Sequence, residues 1–353
     1  MEGAEDRMAT IRDVARAAGV SVTTVSATIN ESAPVSAVLK ARVMEAIRQV
    51  GYTPNPVARN LRLGHSNLIG LSVPDIASPY AASIAKSLQI ALSDKGYSMF
   101  FASNGDNYAR ELADVARMVE HQVAGLAVLP TCLGPDYTEN LVARINCPSV
   151  FMDRIVPGAP YDCVADDNHL GARLIVTHLL QLGHRAIAMI AGRTGISSSD
   201  ERLQGVGNAL AQAGHPLAPE FIRTHHQTEE HGFRAVQDLM ARANRPSAII
   251  TINAAQTRGA VKALRSMQFA CPRDVSLISF DGFHFSSGFE PEITSLEQDI
   301  AGIGEATSAM LVERLARARG PQAGADDIPP RLLRLAPKLM VRSSCRAVGS
   351  VSV

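Results

Sequence analysis

The chain has 353 residues, 46% of them apolar and 19% charged, the balance of a globular protein large enough for two or three domains. Lys plus Arg equals Asp plus Glu at 34 each, which excludes a basic nucleic-acid coat over the whole surface. No apolar run reaches the 18 or so residues of a membrane span, MEGAEDRMAT lacks the apolar core of a signal peptide, and five scattered cysteines (Cys132, Cys147, Cys163, Cys271, Cys345) form neither a zinc knuckle nor a disulfide framework. A cytoplasmic protein with reduced thiols is expected.

The charge is uneven. From Arg7 to Arg62 there are eight basic residues and three acidic ones, the local excess expected where phosphates are met. Within this segment, TIRDVARAAGVSVTTVSATIN (10–30) predicts two helices. Thr10 caps the first with Asp13 as a capping-box partner, Ile11, Val14, Ala15 and Ala18 share one face, and Gly19 allows the turn. Ser21 caps the second, which carries Val22, Val25 and Ile29. Two short helices joined by a Gly-containing turn describe a helix-turn-helix, whose second helix enters the major groove. Val22 and Thr23, at its start, are the candidate base readers, by methyl contact and hydroxyl hydrogen bond respectively. A third helix is predicted from Ser36 to about Gln49, with Val38, Val43, Ile47 and Val50 as its buried stripe. By spacing alone the unit reads equally as a plain helical hairpin.

In Tyr52–Arg62, Asn55 is a cap and Pro56 sits at a first helical position. So short a helix is unstable alone and must form on docking. Ala58 and Leu61 lie on one face, Arg59 and Arg62 on another, which suits a minor-groove wedge flanked by phosphate contacts.

From Leu68 the pattern changes. Apolar runs at 68–74, 97–103, 123–130 and 148–153, then again at 186–192, 246–253 and 275–282, alternate with helical stretches at 80–95, 108–121, 168–182, 201–213, 231–243 and 257–268. Strand–helix alternation predicts parallel sheets covered on both faces, and its two series predict two lobes with a ligand cleft at the strand ends. The strand-end residues Asp153, Asn253 and Asp281 and the helical Arg202 are the candidate ligand contacts. Acceptors facing an Arg fork suit a ligand with vicinal hydroxyls. The alternative is that strand-end Asp residues cap the following helices.

These segments, from about Met8 to about Cys345, resemble the lactose-repressor/galactose-repressor (LacI/GalR) family of bacterial transcription regulators. The resemblance implies an α/β protein. An N-terminal all-α helix-turn-helix headpiece (8–53) and a hinge helix with linker (54–66) precede a two-lobed, periplasmic-binding-protein-like core of doubly wound parallel sheets (67–345). It implies a homodimer on a pseudopalindromic double-stranded DNA operator, with Leu61 inserted in the minor groove and a small effector, sugar-like or a related metabolite, between the lobes. DNA contacts fall on Thr10, Ser21, Val22, Thr23, Thr24, Ser26, Ala27, Asn30, Asn55, Ala58 and Leu61. Effector contacts fall on Ser78, Tyr80, Asp153, Arg202, Asn253 and Asp281. No catalysis, cofactor, metal or membrane partner is implied. With no leucine heptads after residue 345, a dimer rather than a tetramer is expected.

Several positions depart from the family pattern: Ala27 where an Arg is common, Ala254 for an Asp, Ala81 for a second aromatic, Arg258 for an apolar residue, and Gln227 where an aromatic is frequent. Ala27 removes a bidentate guanine contact worth about 1–3 kcal/mol of discrimination. Two weaker signals are set aside. The run His225–His231 reads as solvated residues ahead of a helix rather than a metal site, and Gly302-Ile303-Gly304 is no nucleotide loop because a helix continues through it. The competing class, a doubly wound binding protein or enzyme with a helical appendage, lacks an evident nucleophile–base pair.

Overall fold

The computed structural model describes residues 9–30, 33–53, 66–131, 135–224, 226–282, 290–319 and 329–349. The chain divides into two units, Met1–Ser66 and Asn67–Val353.

In the first unit, the Asp13 carboxylate accepts both the backbone N–H (3.0 Å) and the hydroxyl (2.6 Å) of Thr10, opening α1 (Ile11–Ala18). Gly19, at φ 61°, makes the turn. Ser21 Oγ then accepts the Thr24 N–H at 3.1 Å and starts α2 (Val22–Asn30). Ser36 caps α3 (Ala37–Val50). Val14, Ala15, Ala18, Val25, Val43 and Ala46 form the buried core, with Ile11, Ile29, Ile47 and Val50 packed against it. Val38 corrects the sequence reading, since it is 71% exposed. Five residues before Val43 it lies roughly 140° around the helix, and Leu39, one turn before Val43, is the partly buried residue there.

The second unit holds two six-stranded sheets among the described residues. The first has the order β11-β5-β4-β3-β1-β2, built from β1 (Leu68–Val73), β2 (Ser98–Ser103), β3 (Gly125–Val128), β4 (Ser149–Met152), β5 (Asp162–Asp166) and β11 (Leu332–Leu335). The second has the order β12-β10-β9-β8-β6-β7, from β6 (Ile187–Ala191), β7 (Ile222–Thr224), β8 (Ala248–Thr251), β9 (Ser276–Ser279), β10 (Thr294–Glu297) and β12 (Lys338–Met340). All pairings are parallel except β10 with β12. Each sheet repeats the doubly wound order 2-1-3-4-5 and adds one late strand at its edge. The expected fold class is the observed one.

Helices cover both faces. In the first lobe α4 (Pro79–Ser93) packs on one side and α5 (Tyr108–Glu120) with α6 (Pro135–Val142) on the other; in the second, α7 (Asn168–Gln181) and α8 (Ser197–Gln212) oppose α9 (Glu229–Met240) and α10 (Ala254–Ser266). The last helix, α11 (Ile300–Arg319), returns to the first lobe and packs on α4, β3, β4 and β5. The chain therefore crosses between lobes three times, after β5, after β10 and after β11. Strand ends and helix starts face one another across those crossings.

Helices α9 and α10 meet backbone to backbone. A Cβ on Gly259 would fall inside contact distance of the Glu229 carbonyl oxygen, and one on Gly232 inside that of Gln256. Gly259→Ala is expected to force the helices apart and cost about 1–3 kcal/mol, read as a lower Tm in thermal unfolding. An unchanged Tm contradicts this packing account.

Candidate functional site

On the first unit, Ser21, Val22 and Thr23 stand exposed at the start of α2, with Val22 42% accessible. Val25 and Thr28 on the opposite face are buried, so the helix presents its N-terminal side chains outward. Thr24 is half-buried, its hydroxyl 2.9 Å from Ser21 Oγ, and Ser26 and Ala27 are also half-buried. Thr10 is engaged with Asp13, and Asn30 ends α2. Asn55, Ala58 and Leu61 lie outside the described residues.

The second unit contains a cavity of about 430 Å³ lined by all six sequence-predicted effector residues, Ser78, Tyr80, Asp153, Arg202, Asn253 and Asp281. Ser78 and Tyr80 stand at the start of α4. Asp153 follows β4 at φ 64°, and Asp281 follows β9. Arg202 lies in the second turn of α8, which begins four residues earlier than its predicted start. The lobes also meet directly, where the Ile155 N–H donates to Ser197 Oγ at 2.7 Å.

Arg202 is 7% exposed and fixed on several sides. Its Nε–H donates to Asn168 Oδ1 (2.8 Å), and its Nη1 donates to the Ile252 carbonyl (2.6 Å) and Asp281 Oδ1 (3.0 Å). The guanidinium also stacks over Phe280, 5.3 Å from the ring centre. Gln298 Nε2 donates to the same Asp281 oxygen at 2.8 Å. Nη2 of Arg202 and Oδ2 of Asp281 have no hydrogen-bond partner among the described residues, and a donor edge beside an acceptor oxygen matches a vicinal diol.

The helix-capping alternative divides by residue. Asn253 does cap α10, accepting the Gln256 N–H at 2.8 Å while its amide donates to the Gln227 carbonyl at 3.1 Å. Asp153 caps nothing. Its Oδ1 receives the Tyr80 hydroxyl at 3.2 Å, and that hydroxyl also reaches Asp166 Oδ2 at 2.9 Å.

Three carboxylates, Asp153, Asp166 and Asp281, thus surround one guanidinium. Burial first, and then the neighbouring Asp153, push the Asp166 carboxyl up to about 7; its Oδ1 is buried without a partner, which also favours the neutral acid. Burial likewise raises Asp153 and Tyr80. Burial acts to lower Arg202, but Asp281, Asp153 and Asp166 outweigh it and hold the group cationic. Because the folded chain binds this proton more tightly than the unfolded chain, Asp166 costs stability progressively as pH rises from about 4 to about 7. Asp166→Asn should therefore gain stability with pH, by up to about 4 kcal/mol at pH 8 and almost nothing near pH 4. A Tm difference that does not change with pH sinks this assignment.

Sequence reasoning missed Asp166, Asn168, Arg154 and Gln298. Arg154 lines the cavity, its Nη1 bound to the Pro130 and Thr131 carbonyls and its buried Nε without a hydrogen bond but ion-paired with Asp153 Oδ2 at 3.7 Å. The ADDN run at 165–168, polar at a strand end, was a readable signal for the first two. Of the positions departing from the family pattern, Ala81 is buried on α4 and also lines the cavity. Ala254 and Arg258 line the cavity, Arg258 paired with Glu229 at 3.2 Å. Of the 225–231 run, His225 lies outside the described residues, His226 and Gln227 line the cavity, and Thr228 caps α9. No helix among the described residues is long and apolar enough to cross a membrane.

Comparison with known proteins identifies the family and the fold. Residues 10–55 match the bacterial regulatory proteins of the lacI family, and residues 176–345 match a periplasmic binding protein-like domain. The HTH-type transcriptional repressor PurR of Yersinia pestis bv. Antiqua (strain Antiqua) is 31% identical over 342 residues, which span 96% of this chain and 97% of PurR. Among solved structures, the lac repressor dimer bound to operator and the anti-inducer ONPF shares the fold, with TM-score 0.85 and 24% identity over 97% of this chain and 100% of that one. The transcriptional regulator CelR–cellobiose complex superposes with TM-score 0.70 at 28% identity, covering 95% of this chain and 99% of the other. A single relative aligned through headpiece and both lobes leaves one conclusion: this chain belongs to the lacI family of bacterial regulatory proteins and is a transcriptional repressor with an N-terminal DNA-binding domain.

Proposed function

We propose that the protein binds a pseudopalindromic operator as a homodimer and that a small polyhydroxylated metabolite, sugar-like in its chemistry, controls it from the cleft between the lobes. In this reading residues 8–53 are the headpiece, 54–66 the hinge and 67–345 the effector and dimerisation core. The carrying observation is the convergence of Ser78, Tyr80, Asp153, Arg202, Asn253 and Asp281 on one cavity. The exposed start of α2, with Val22 and Thr23, supports base reading, and Thr10, Ser21, Thr24, Ser26, Ala27 and Asn30 complete the assigned headpiece contacts. Asn55, Ala58 and Leu61 are assigned to the hinge from the family pattern. An effector that binds one arrangement of the lobes more tightly shifts DNA affinity by that difference.

The test is selection of bound duplexes from a random pool at about 0.15 M salt, repeated with a metabolite mixture. A recovered inverted repeat whose binding responds to a sugar-like member supports the reading. Sequence-independent binding under both conditions overturns it.

A further inference from the structure

Arg202 is held from behind as well as faced from the cleft. Its Nε–H meets Asn168 Oδ1 at 2.8 Å, and Asn168 Nδ2 donates to Glu201 Oε2 at 2.9 Å. Both Glu201 oxygens receive Arg334, with Nη2 to Oε1 at 2.6 Å and Nη1 to Oε2 at 3.1 Å. Arg334 stands on β11, in the sheet of the first lobe, while Asn168, Glu201 and Arg202 belong to α7 and α8 of the second. A continuous line of hydrogen bonds thus runs from one lobe to the guanidinium that faces the cavity from the other.

The polarity of the line is determined. Glu201, held ionised by Arg334 against the effect of its burial, can only accept. It therefore selects the Asn168 orientation that turns Nδ2 toward the carboxylate and Oδ1 toward Arg202. With Nε tied to Asn168 and Nη1 to Ile252 and Asp281, the plane of the guanidinium is set and its Nη2 edge is left for a ligand. We infer that Asn168, Glu201 and Arg334 are positioning residues for Arg202, and that the Arg334–Glu201 pair makes the pose of that guanidinium depend on how the two lobes are arranged. The inference rests on the reading of Arg202 as an effector contact.

The experiment is phenylglyoxal modification of the full-length protein without effector, with the rate at Arg202 followed by peptide mass spectrometry. Losing one charge-assisted link should free the guanidinium about three- to tenfold. This rise is expected in Asn168→Ala, in Glu201→Gln and in Arg334→Met, although Arg334 does not touch Arg202. Arg334→Lys, which retains one charged donor, should show a smaller rise. Leu88→Ala, a cavity in the first-lobe core at a residue that makes none of the line's hydrogen bonds, lowers Tm and serves as the control for general loosening; its Arg202 rate should match the wild type. Unchanged rates in Glu201→Gln and Arg334→Met overturn the relay, as does a Leu88→Ala rate as high as theirs. The cleft reading is tested separately, by loss of effector binding in Arg202→Ala, so either idea can fail with the other standing.

Discussion

Asp162→Ala is expected to lower the stability of the two-lobed unit by about 3–5 kcal/mol, the cost of breaking a buried ion pair from one side. The Asp162 side chain has no exposed surface. It receives Arg314 Nε (3.0 Å) and Nη2 (2.7 Å) from α11, and Arg331 N–H (2.8 Å) and Nη2 (2.9 Å) from the segment entering β11. Burial alone would raise its carboxyl, but the hydrogen bonds of Arg314 and Arg331 override it and hold the group well below the usual carboxylate range. Both arginines sit in parts of the chain that return to the first lobe after passing through the second, so this carboxylate fastens the returning segments to β5. Because Arg314 and Arg331 keep 21% and 39% of their side-chain surface, water can reach them in the variant, which favours the lower half of the range. A depressed carboxyl contributes fully above its ordinary value near 4 and loses that contribution as pH falls below it. The deficit of the variant should therefore be full at pH 7 in urea unfolding and shrink in acid. A difference under about 0.5 kcal/mol at pH 7 is the size of an ordinary surface substitution and refutes the account.

The second large effect is functional. Arg202→Ala is expected to weaken effector binding at least about hundredfold, since it removes the free Nη2 edge and two charge-assisted hydrogen bonds carry roughly that much. Truncation also leaves Asp153, Asp166 and Asp281 without their shared cation, so Arg202→Lys is the companion variant. Lys keeps the charge but lacks the planar fork; it should preserve Tm while losing most of the effector affinity. Operator binding in the absence of effector should stay within a few-fold of wild type in both. Titration calorimetry with the metabolite to which operator binding responds measures this, and a normal isotherm for Arg202→Lys removes the guanidinium from the site.

Much of this protein is written locally. The Thr10–Asp13 cap, the Gly19 turn and the Ser21 cap involve residues within four positions of each other, and the structure has them where spacing placed them. Strands β1, β3, β4, β6, β8 and β9 lie in short, mainly apolar runs because both faces of a covered parallel sheet are buried. Asp153, Asn253, Asp281 and Arg202 could be named because strand ends and helix starts of such sheets face one cleft, whereas Ser78 and Tyr80 are implied by the family resemblance.

Other features depend on partners far along the chain. Strands β5 (DCVAD), β7 (IRT) and β10 (TSLE) carry polar residues and lack apolar runs; β5 is buried throughout, with the Asp162 charge neutralised by Arg314 and Arg331, 152 and 169 residues later. That α11 and β11 complete the first lobe rather than the second follows from packing on α4 and pairing with β5, which no local period encodes. Val38 looked like core because it is apolar and helical, yet it is exposed and its neighbour Leu39 is the partly buried one. Asn168, Glu201 and Arg334 are ordinary polar residues in sequence. They join Arg202 in one hydrogen-bonded line because the crossings between the lobes bring residues 168, 201–202 and 334 together. Periodicity and capping are short-range and can be read from the chain directly, whereas burial of charge is decided by which distant partner arrives to neutralise it.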